Sequence, residues 1–568
     1  MSSSRNLTVE HALYGLALAL GLGIRLLNLG RLPLSDFEAN WALQALDLAQ
    51  GRGPQVGANP AYVHLTALLF YLLPASNFLA RLWPALTGAS LILLPFFWRQ
   101  RLGRLPALLL AFGLAFDPGL TALARLAGGP ILALAAVLWG ITFWRGGRIA
   151  PAGICAGLAL LSGPAAWFGL VSLALVAGLK QIGPRPRPVE TNQPESPARF
   201  DGRGVRTAAL WGLGTLLLLG TLALLSPLGL SGVFGALLTF LRGWWAAPQI
   251  LPHQILIALP AYAPLALIFG LAGLVRAILV RDEEMLRLGL WMLTALLLAL
   301  VYPARQVADL MWMLVPLWAL AAAELNRHFD FAAHSRWGLA GTMTLTFALL
   351  TSTWFYLTNA VNVNLPGQFG QARLLILLGL LLVLALTLVL VAYGWSLALA
   401  RLGLVWGGGM FLFLLTIAAL TDAAGLRQPR TAELWTPAPR IAQADLLLET
   451  IEELSAWNAR DPRGLPVTVA GIESPALRWL LRAHPLEWTL APPVNQAPPL
   501  LITAEVQPNL VAAYRGQDFI WRQSPGWLNA LPGDWLRWYL FRQIAMQSET
   551  IILWARSDLL FEAPPAAP

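Results

Sequence analysis

Apolar segments of roughly membrane-spanning length recur along the first 420 residues of the chain. A helix needs about 20 mostly apolar residues to cross a bilayer. Segments of this kind lie near residues 11–29, 79–98, 105–118, 128–144, 149–163, 164–180, 207–226, 255–276, 286–303, 308–325, 337–357, 372–393 and 397–420. The pattern predicts a mainly α protein whose first domain, residues 1–420, is a polytopic transmembrane helical bundle of about 13 spans.

One apolar run does not fit this series. It extends from Ala61 to Pro74 and has only about 14 residues, which suits a helix at the membrane surface better than a span. We therefore expect residues 30–78 to form one large external loop that contains an in-plane helix.

The pattern changes after residue 420, where charged residues, prolines and short alternating stretches become frequent. The stretches 466–470 and 551–555 predict β-strands, and Asp445 to Trp457 has helical periodicity. The apolar face of that helix would hold Leu446, Leu447, Ile451 and Leu454. Residues 421–568 are thus predicted to form a small C-terminal extracytoplasmic α/β domain.

Composition and charge support a membrane protein and set its orientation. Hydrophobic residues make up 57% of the chain and charged residues 12%, against about 25% charged in soluble domains. The net charge of +9 is spread over arginines between apolar segments, which indicates topology and not nucleic-acid binding. The positive-inside rule predicts a multi-pass protein of the cell membrane with a cytoplasmic N-terminus, a cytoplasmic linker at 181–206 and an extracytoplasmic C-terminal domain.

The candidate chemistry begins with two acids after the first apolar segment, Asp36 and Glu38. A carboxylate at a membrane surface is costly unless it has a function or a partner, so either residue could act as a general base. The structural alternative is that one carboxylate caps the helix that begins here, since Ser35 and Asp36 are favourable N-cap residues.

Several short motifs in the membrane part share their order and spacing with a known family. They are Arg25–Gly30, Glu38-Ala39, Ala61–His64 and Arg81–Gly88, followed by Arg242–Trp245 with Pro248 and by Leu259–Tyr262. This layout resembles the GT-C superfamily of polytopic glycosyltransferases, and most closely the protein mannosyltransferases and the aminoarabinose transferase of lipid A. The last two motifs also resemble a branch of flippase-associated membrane proteins.

The resemblance implies that a sugar passes from a polyprenyl-phosphate donor to a glycan, lipid or protein acceptor on the extracytoplasmic face. Its expected partners are the donor, the acceptor and membrane lipids, and nucleic acid is not among them. No cofactor is expected, because no ligand spacing in the sequence supports a divalent metal.

The resemblance also implies which residues act, and the sequence departs from the family at two of them. Phe37 stands where the family has its catalytic aspartate, so Asp36 or Glu38 would have to serve as the base. The family often has a second acid shortly after an arginine in the next external loop, but no acid follows Arg125. Asp117 is the candidate substitute.

Substrate-binding candidates are the external cations Arg125, Arg242 and Arg305, which suit a lipid phosphate, together with His64. Arg305 could instead pair with Asp309 along one helical turn. The tryptophans next to Arg242 could instead form an interfacial belt.

The sequence leaves open the role of one aromatic stretch and the choice among three functions. The aromatic stretch from Trp535 to Arg542 could bind glycan, form a core strand or dock the domain on the membrane. A non-catalytic GT-C relative that assists assembly or translocation of lipid-linked glycans is the alternative function, which Phe37 favours. An ion-coupled transporter is disfavoured because few ionisable residues lie inside the spans.

Overall fold

The computed structural model describes residues 8–53, 56–182, 202–227, 229–329, 335–362, 367–427, 432–436, 438–493 and 495–560. The first part is helical. Helices α1 to α10 are Val9–Leu26, Asp36–Ala49, Pro60–Leu72, Asn77–Ser90, Leu94–Leu102, Arg104–Phe116, Pro118–Ala124, Ile131–Arg145, Ile149–Leu160 and Pro164–Ile182. Helices α11 to α19 are Gly202–Gly220, Gly229–Arg242, Pro252–Tyr262, Pro264–Val280, Glu283–Val301, Met311–Asn326, Arg336–Asn362, Gly367–Gly394 and Leu397–Ala423. Short 3-10 helices at Leu91–Leu93 and Val307–Leu310 precede α5 and α16.

Every predicted span contains a helix, and the architecture is that of a multi-pass membrane protein. Six helices of the described part are long and apolar enough to cross a membrane, or up to eight if each bent pair is one span. A total of about 13 spans would require the shorter apolar helices to cross as well. The predicted span 255–276 is not one straight helix, because α13 and α14 meet at 99° between Pro260 and Pro264.

The predicted surface loop contains the helices expected in it, whereas helices extend into both ends of the predicted linker. The apolar run after Ala61 forms α3, and the acidic stretch before it forms α2. How α3 lies relative to the membrane remains a prediction. Helices α10 and α11 occupy both ends of the predicted linker 181–206, and residues 183–201 lie outside the described part.

The C-terminal part is a mixed sheet with three helices, as the α/β prediction required. Its strands β1 to β6 are Arg440–Ile441, Val467–Ala470, Leu486–Thr489, Leu500–Thr503, Tyr514–Pro525 and Met546–Arg556. Its helices α20 to α22 are Ala444–Ala459, Pro475–Leu480 and Pro532–Phe541, with 3-10 turns at Trp527–Asn529 and Ser557–Leu559. The strand order is β1-β5-β6-β4-β2-β3, in which β2 is parallel to β3 and β4 and the other pairs are antiparallel.

The buried strands explain this arrangement. All residues of β2 and β4 are buried, which is typical of parallel strands covered on both faces. Helix α20 buries Leu447 and Ile451 in the same core, as its periodicity predicted. Leu446 was wrongly assigned to that face, because its side chain is 45% exposed.

The sheet domain and the helices α2 and α3 share one hydrophobic core. The Phe70 ring on α3 packs 5.7 Å from the Trp479 ring on α21. The Trp479 indole N–H also donates to the Asn77 side-chain oxygen over 2.7 Å. The domain is therefore packed directly onto the segment that carries Asp36 and Glu38.

A second contact is made by the aromatic stretch 535–542. The structure corrects the core-strand interpretation, because this stretch lies in helix α22 and the turn that ends it. The Trp538 indole is fully buried and donates to the Ala432 carbonyl over 2.6 Å. The Tyr539 ring lies 6.0 Å from Trp354 of α17, so α22 docks the domain against the membrane helices.

Candidate functional site

Glu38 is held in a buried ion pair. Ser35 caps α2, and Glu38, three residues later, completes a capping box with it. Both carboxylate oxygens of Glu38 face Arg81 of α4, with N–O distances of 2.7 Å to Nε and to Nη2. The Ala127 amide adds a further hydrogen bond of 3.0 Å to the Glu38 carboxylate. The capping alternative raised by the sequence is therefore the observed geometry for Ser35 and Glu38.

This geometry leaves Glu38 little capacity for proton transfer. A carboxylate has about four acceptor sites, and Glu38 already accepts five hydrogen bonds from Arg81, Ala127 and Ser35. Burial by itself raises the pKa of this carboxyl, but the Arg81 guanidinium and the amide donors outweigh it, so the pKa lies below its ordinary value. Glu38 stays ionised and fixes α2 to α4.

The lowered pKa of Glu38 predicts a loss of stability in acid. A group with a depressed folded-state pKa contributes stability that is present above its unfolded value, about 4.3, and is lost as the pH falls through the folded value. We expect the melting temperature of the wild-type protein to fall more steeply below about pH 4.3 than that of Glu38→Gln. Equal slopes in the two proteins, measured in lipid nanodiscs, would contradict this assignment.

Asp36 connects α2 to the C-terminal domain. Its Oδ1 accepts from the Ser474 hydroxyl over 2.6 Å and from the Ala476 amide over 2.9 Å. Its Oδ2 accepts from Arg522 Nε over 2.6 Å, and this carboxylate raises the pKa of the Arg522 guanidinium against the opposing effect of burial. Three of about four acceptor sites are occupied, so Asp36 has more capacity than Glu38 to accept a proton or a further hydrogen bond. Phe37 between them is half-buried and packs edge-on to Trp41 at 6.4 Å.

The Asp36 contacts predict that Asp36→Asn loosens the domain. The amide would place its N–H donors against Arg522 and lose the charge attraction, at a cost of about 1.5–3 kcal/mol. We expect faster proteolysis of the C-terminal domain and a lower melting temperature. Glu549→Gln is the matched control, since Glu549 contacts the same arginine with a 67% exposed side chain, and we expect it to cost at most about 1 kcal/mol. Equal effects would contradict the special role of Asp36.

Asp117 and Arg125 also have structural partners. Asp117 is fully buried and caps α7 by accepting from the Leu120 amide over 2.7 Å. It also accepts from the Trp318 indole over 2.7 Å. Arg125 Nη1 donates to three carbonyls at the end of α1, those of Ile24, Arg25 and Leu27. These groups satisfy helix ends, which is sufficient to explain their burial.

The remaining sequence candidates lie elsewhere. Arg242 is exposed at the end of α12, and Trp245 nearby is 83% exposed, as an interfacial belt requires. Arg305 Nη1 donates to the Ile250 carbonyl over 3.1 Å, and the alternative ion pair with Asp309 is not formed among the described residues. His64 Nδ1 contacts the Leu219 carbonyl at 2.6 Å. None of the seven sequence candidates lines the cavity described next.

A cavity of about 330 Å³ lies where α13, α14, α17 and α19 meet the end of α22. Its apolar wall includes Trp354 and Leu415, and its charged groups are Asp422, Arg427 and Arg542. The other lining residues are Pro260, Ala261, Pro264, Ala418, Ala419, Tyr539, Leu540, Phe541 and Gln543.

Arg542 is held rigidly at this cavity. Its guanidinium carbon lies 4.6 Å from the centre of the Tyr262 ring and 4.7 Å from that of Trp538. Nη2 donates to the Ala261 carbonyl over 2.6 Å. The residue is only 7% exposed, and its buried Nη1 has no hydrogen-bond partner among the described residues. A buried donor without a partner is costly, so an anionic ligand oxygen would satisfy it.

Neither Asp422 nor Arg542 is among the site residues predicted from the sequence. Asp422 lies just beyond the last predicted span, and Arg542 lies about 120 residues later in the aromatic stretch. One feature of the sequence could have indicated Asp422: it is a carboxylate at the end of an apolar segment, which is an unusual position in a chain with 12% charged residues. Its partners became visible only in three dimensions.

No metal centre is evident in the part of the chain that the structure describes, where no three His, Cys, Asp or Glu side chains cluster. The chemistry at the cavity would rest on one carboxylate and two guanidinium groups.

Comparisons with known proteins give a whole-chain structural likeness. No protein-family model and no curated protein sequence matches the chain. Among solved structures, the crystal structure of ArnT from Cupriavidus metallidurans bound to undecaprenyl phosphate is similar over 97% of this chain and 99% of that one. The sequence identity is 16% and the TM-score 0.49. These values are too low to transfer an activity, a ligand or a residue's role to this chain.

Proposed function

We propose that the protein is a membrane glycosyltransferase that moves a sugar from a polyprenyl-phosphate donor to an acceptor on the extracytoplasmic face. The observation that carries the proposal is the cavity beside Arg542. It combines a carboxylate, Asp422, with a buried guanidinium nitrogen that has no hydrogen-bond partner among the described residues, next to an apolar wall. Such a transfer needs a base, a cationic group for the leaving phosphate and an apolar surface for the lipid.

The proposed roles follow from the chemistry of each group. Asp422 accepts the proton of the acceptor hydroxyl or amine as that atom attacks the anomeric carbon. The bond from the anomeric carbon to the phosphate oxygen breaks, and its electron pair stays on the phosphate. Arg542 and the exposed Arg427 stabilise the released phosphate, as guanidinium groups commonly do.

The orientation predicted from the sequence agrees with this chemistry on the extracytoplasmic face. The positive-inside rule assigns the cytoplasmic face to the loop before α17, so α17 and α19 would run outward. The cavity lies at the C-terminal end of α19, which is then its extracytoplasmic end. A donor in the outer leaflet would reach the cavity with its chain in lipid and its phosphate at the surface.

A second candidate function is a non-catalytic relative that binds a lipid-linked glycan during assembly or translocation. Phe37 stands at the position of the family's catalytic aspartate, and Glu38 beside it is saturated with hydrogen bonds. These two observations favour a protein that has the helical layout of the family but lacks the family's catalytic base.

The deciding experiment is sugar transfer by the purified protein in lipid nanodiscs, with a panel of radiolabelled polyprenyl-phosphate sugars and an extract of the envelope as acceptor. We expect transfer from at least one donor, with release of polyprenyl phosphate. If the protein binds a donor specifically but transfers sugar from none of the donors, the proposed enzymatic activity is wrong and the non-catalytic role is supported.

A further inference from the structure

A second and larger cavity, of about 800 Å³, lies between helices α2 and α3 and the C-terminal domain. It is separate from the cavity beside Arg542, because the two share no lining residue. Its polar side chains come from both sides. The lining residues are Leu43, Leu46, Asp47, Ala49, Gln50, Arg52, Phe70, Tyr71, Pro74, Ala75, Arg478, Arg482, Ala483, His484, Leu486 and Trp488.

His484 is the unusual residue of this cavity. It lies between α21 and β3 and is only 6% exposed, yet neither ring nitrogen has a hydrogen-bond partner among the described residues. Buried polar atoms in proteins almost always have a partner. Burial lowers the pKa of His484, so the ring is neutral at pH 7 and offers one donor and one acceptor. An imidazole in this state suits a ligand with hydroxyl groups.

Two arginines of the cavity form no ion pair within the part of the chain that the structure describes. Arg52 pairs with Asp47 at 3.0 Å, but neither Arg478 nor Arg482 forms an ion pair among the described residues. Arg482 is fixed by hydrogen bonds of 2.7 Å and 2.9 Å to the carbonyls of Trp479 and Ala75. Two guanidinium groups beside a neutral imidazole therefore favour an anionic ligand.

Aromatic rings complete the site. The Arg478 guanidinium lies 4.9 Å from the Trp488 ring centre, and that of Arg482 lies 4.2 Å from Trp479. Tyr71 is 74% exposed at the cavity wall. Amphipathic rings of this kind provide flat apolar contact for a ligand whose other side makes hydrogen bonds.

We propose that this cavity binds a saccharide that carries a carboxylate or phosphate group. Arg478 and Arg482 contact the anion, His484 exchanges hydrogen bonds with sugar hydroxyls, and Tyr71 or Trp488 covers a sugar face. The inference goes beyond the proposed function, because binding at this site requires neither a donor nor turnover.

The test is equilibrium binding of trigalacturonate to the full chain in phosphatidylcholine nanodiscs, with galactotriose as the neutral probe and galactose 6-phosphate as the phosphate probe. We expect both anionic probes to bind, and trigalacturonate to bind at least about tenfold more tightly than galactotriose, as loss of a charge-assisted hydrogen bond implies. Equal binding of the acidic and neutral trisaccharides would overturn the proposal. Binding of empty anionic-lipid vesicles in place of either sugar would assign the cavity to a membrane surface and overturn it too.

Variants separate a ligand site from a structural one. Arg478→Gln should weaken trigalacturonate binding about tenfold. Arg537→Gln is the matched control, an exposed helix arginine of the same domain that does not line the cavity, and should leave binding unchanged. If both variants lose the same trigalacturonate affinity, binding depends on the overall charge of the domain, and the proposed site in this cavity is wrong.

The variant His484→Phe separates a ligand-binding role of His484 from a structural one, because the two roles predict opposite changes in melting temperature and affinity. Because the described residues give this imidazole no hydrogen bond, its removal should keep or raise the melting temperature, while trigalacturonate affinity falls about fivefold or more. A lower melting temperature with unchanged affinity would show that His484 serves the fold alone, and would contradict its proposed role.

Discussion

Asp422→Asn is expected to lower sugar transfer by about 10²- to 10⁴-fold, the usual contribution of a positioned general base. Asparagine keeps the size of the side chain but cannot accept the acceptor's proton. Asp422 lines the cavity beside Arg542 and is partly accessible, so the substitution should leave the melting temperature within about 1 °C of wild type.

The control for this prediction is Asp445→Asn, which changes an exposed acid at the start of α20 outside the cavity. We expect it to transfer sugar at the wild-type rate. Asp36→Asn tests the rival base, because Asp36 is one of the two bases predicted from the sequence and retains one acceptor site. Full activity of Asp422→Asn, with a loss of activity in Asp36→Asn that exceeds its loss of folded protein, would identify Asp36 as the base.

The second large effect is on stability. Arg81→Ala should destabilise the protein by about 3–5 kcal/mol, because it leaves the Glu38 carboxylate buried without its counter-charge. The Arg81 side chain is 8% exposed and that of Glu38 5%, so water cannot replace the lost partner. Arg81 also donates to the carbonyls of Leu29, Leu32 and Pro33, which would lose their hydrogen bonds.

Thermal unfolding in lipid nanodiscs measures this loss. Arg52→Ala is the control, since Arg52 pairs with Asp47 at the surface with a 60% exposed side chain and should cost at most about 1 kcal/mol. Adding Glu38→Gln to Arg81→Ala should recover part of the stability, because no buried charge then remains unpaired. A double variant less stable than Arg81→Ala would show that the carboxylate is tolerated alone.

The sequence determined the helical membrane part and the small α/β domain that follows it. Membrane length and periodicity are local properties, so each predicted span contains a helix, and the alternating stretch 466–470 contains strand β2. The sequence also offered helix capping as the structural alternative for one carboxylate near Ser35, and this alternative rests on residues within one turn of each other.

Only the tertiary structure determined which polar residues pair with each other to hold helices and domains together and which line a cavity. Glu38 meets Arg81 across 43 residues, and Asp36 meets Arg522 across 486, so neither partner could be read from local spacing. Asp422 and Arg542 come together because α19 ends where α13 and α14 bend and where α22 docks. Charges pair through space according to packing, whereas helices and strands form from neighbours along the chain. For that reason the sequence identified the elements of this protein, and only the folded chain brought its candidate sites together.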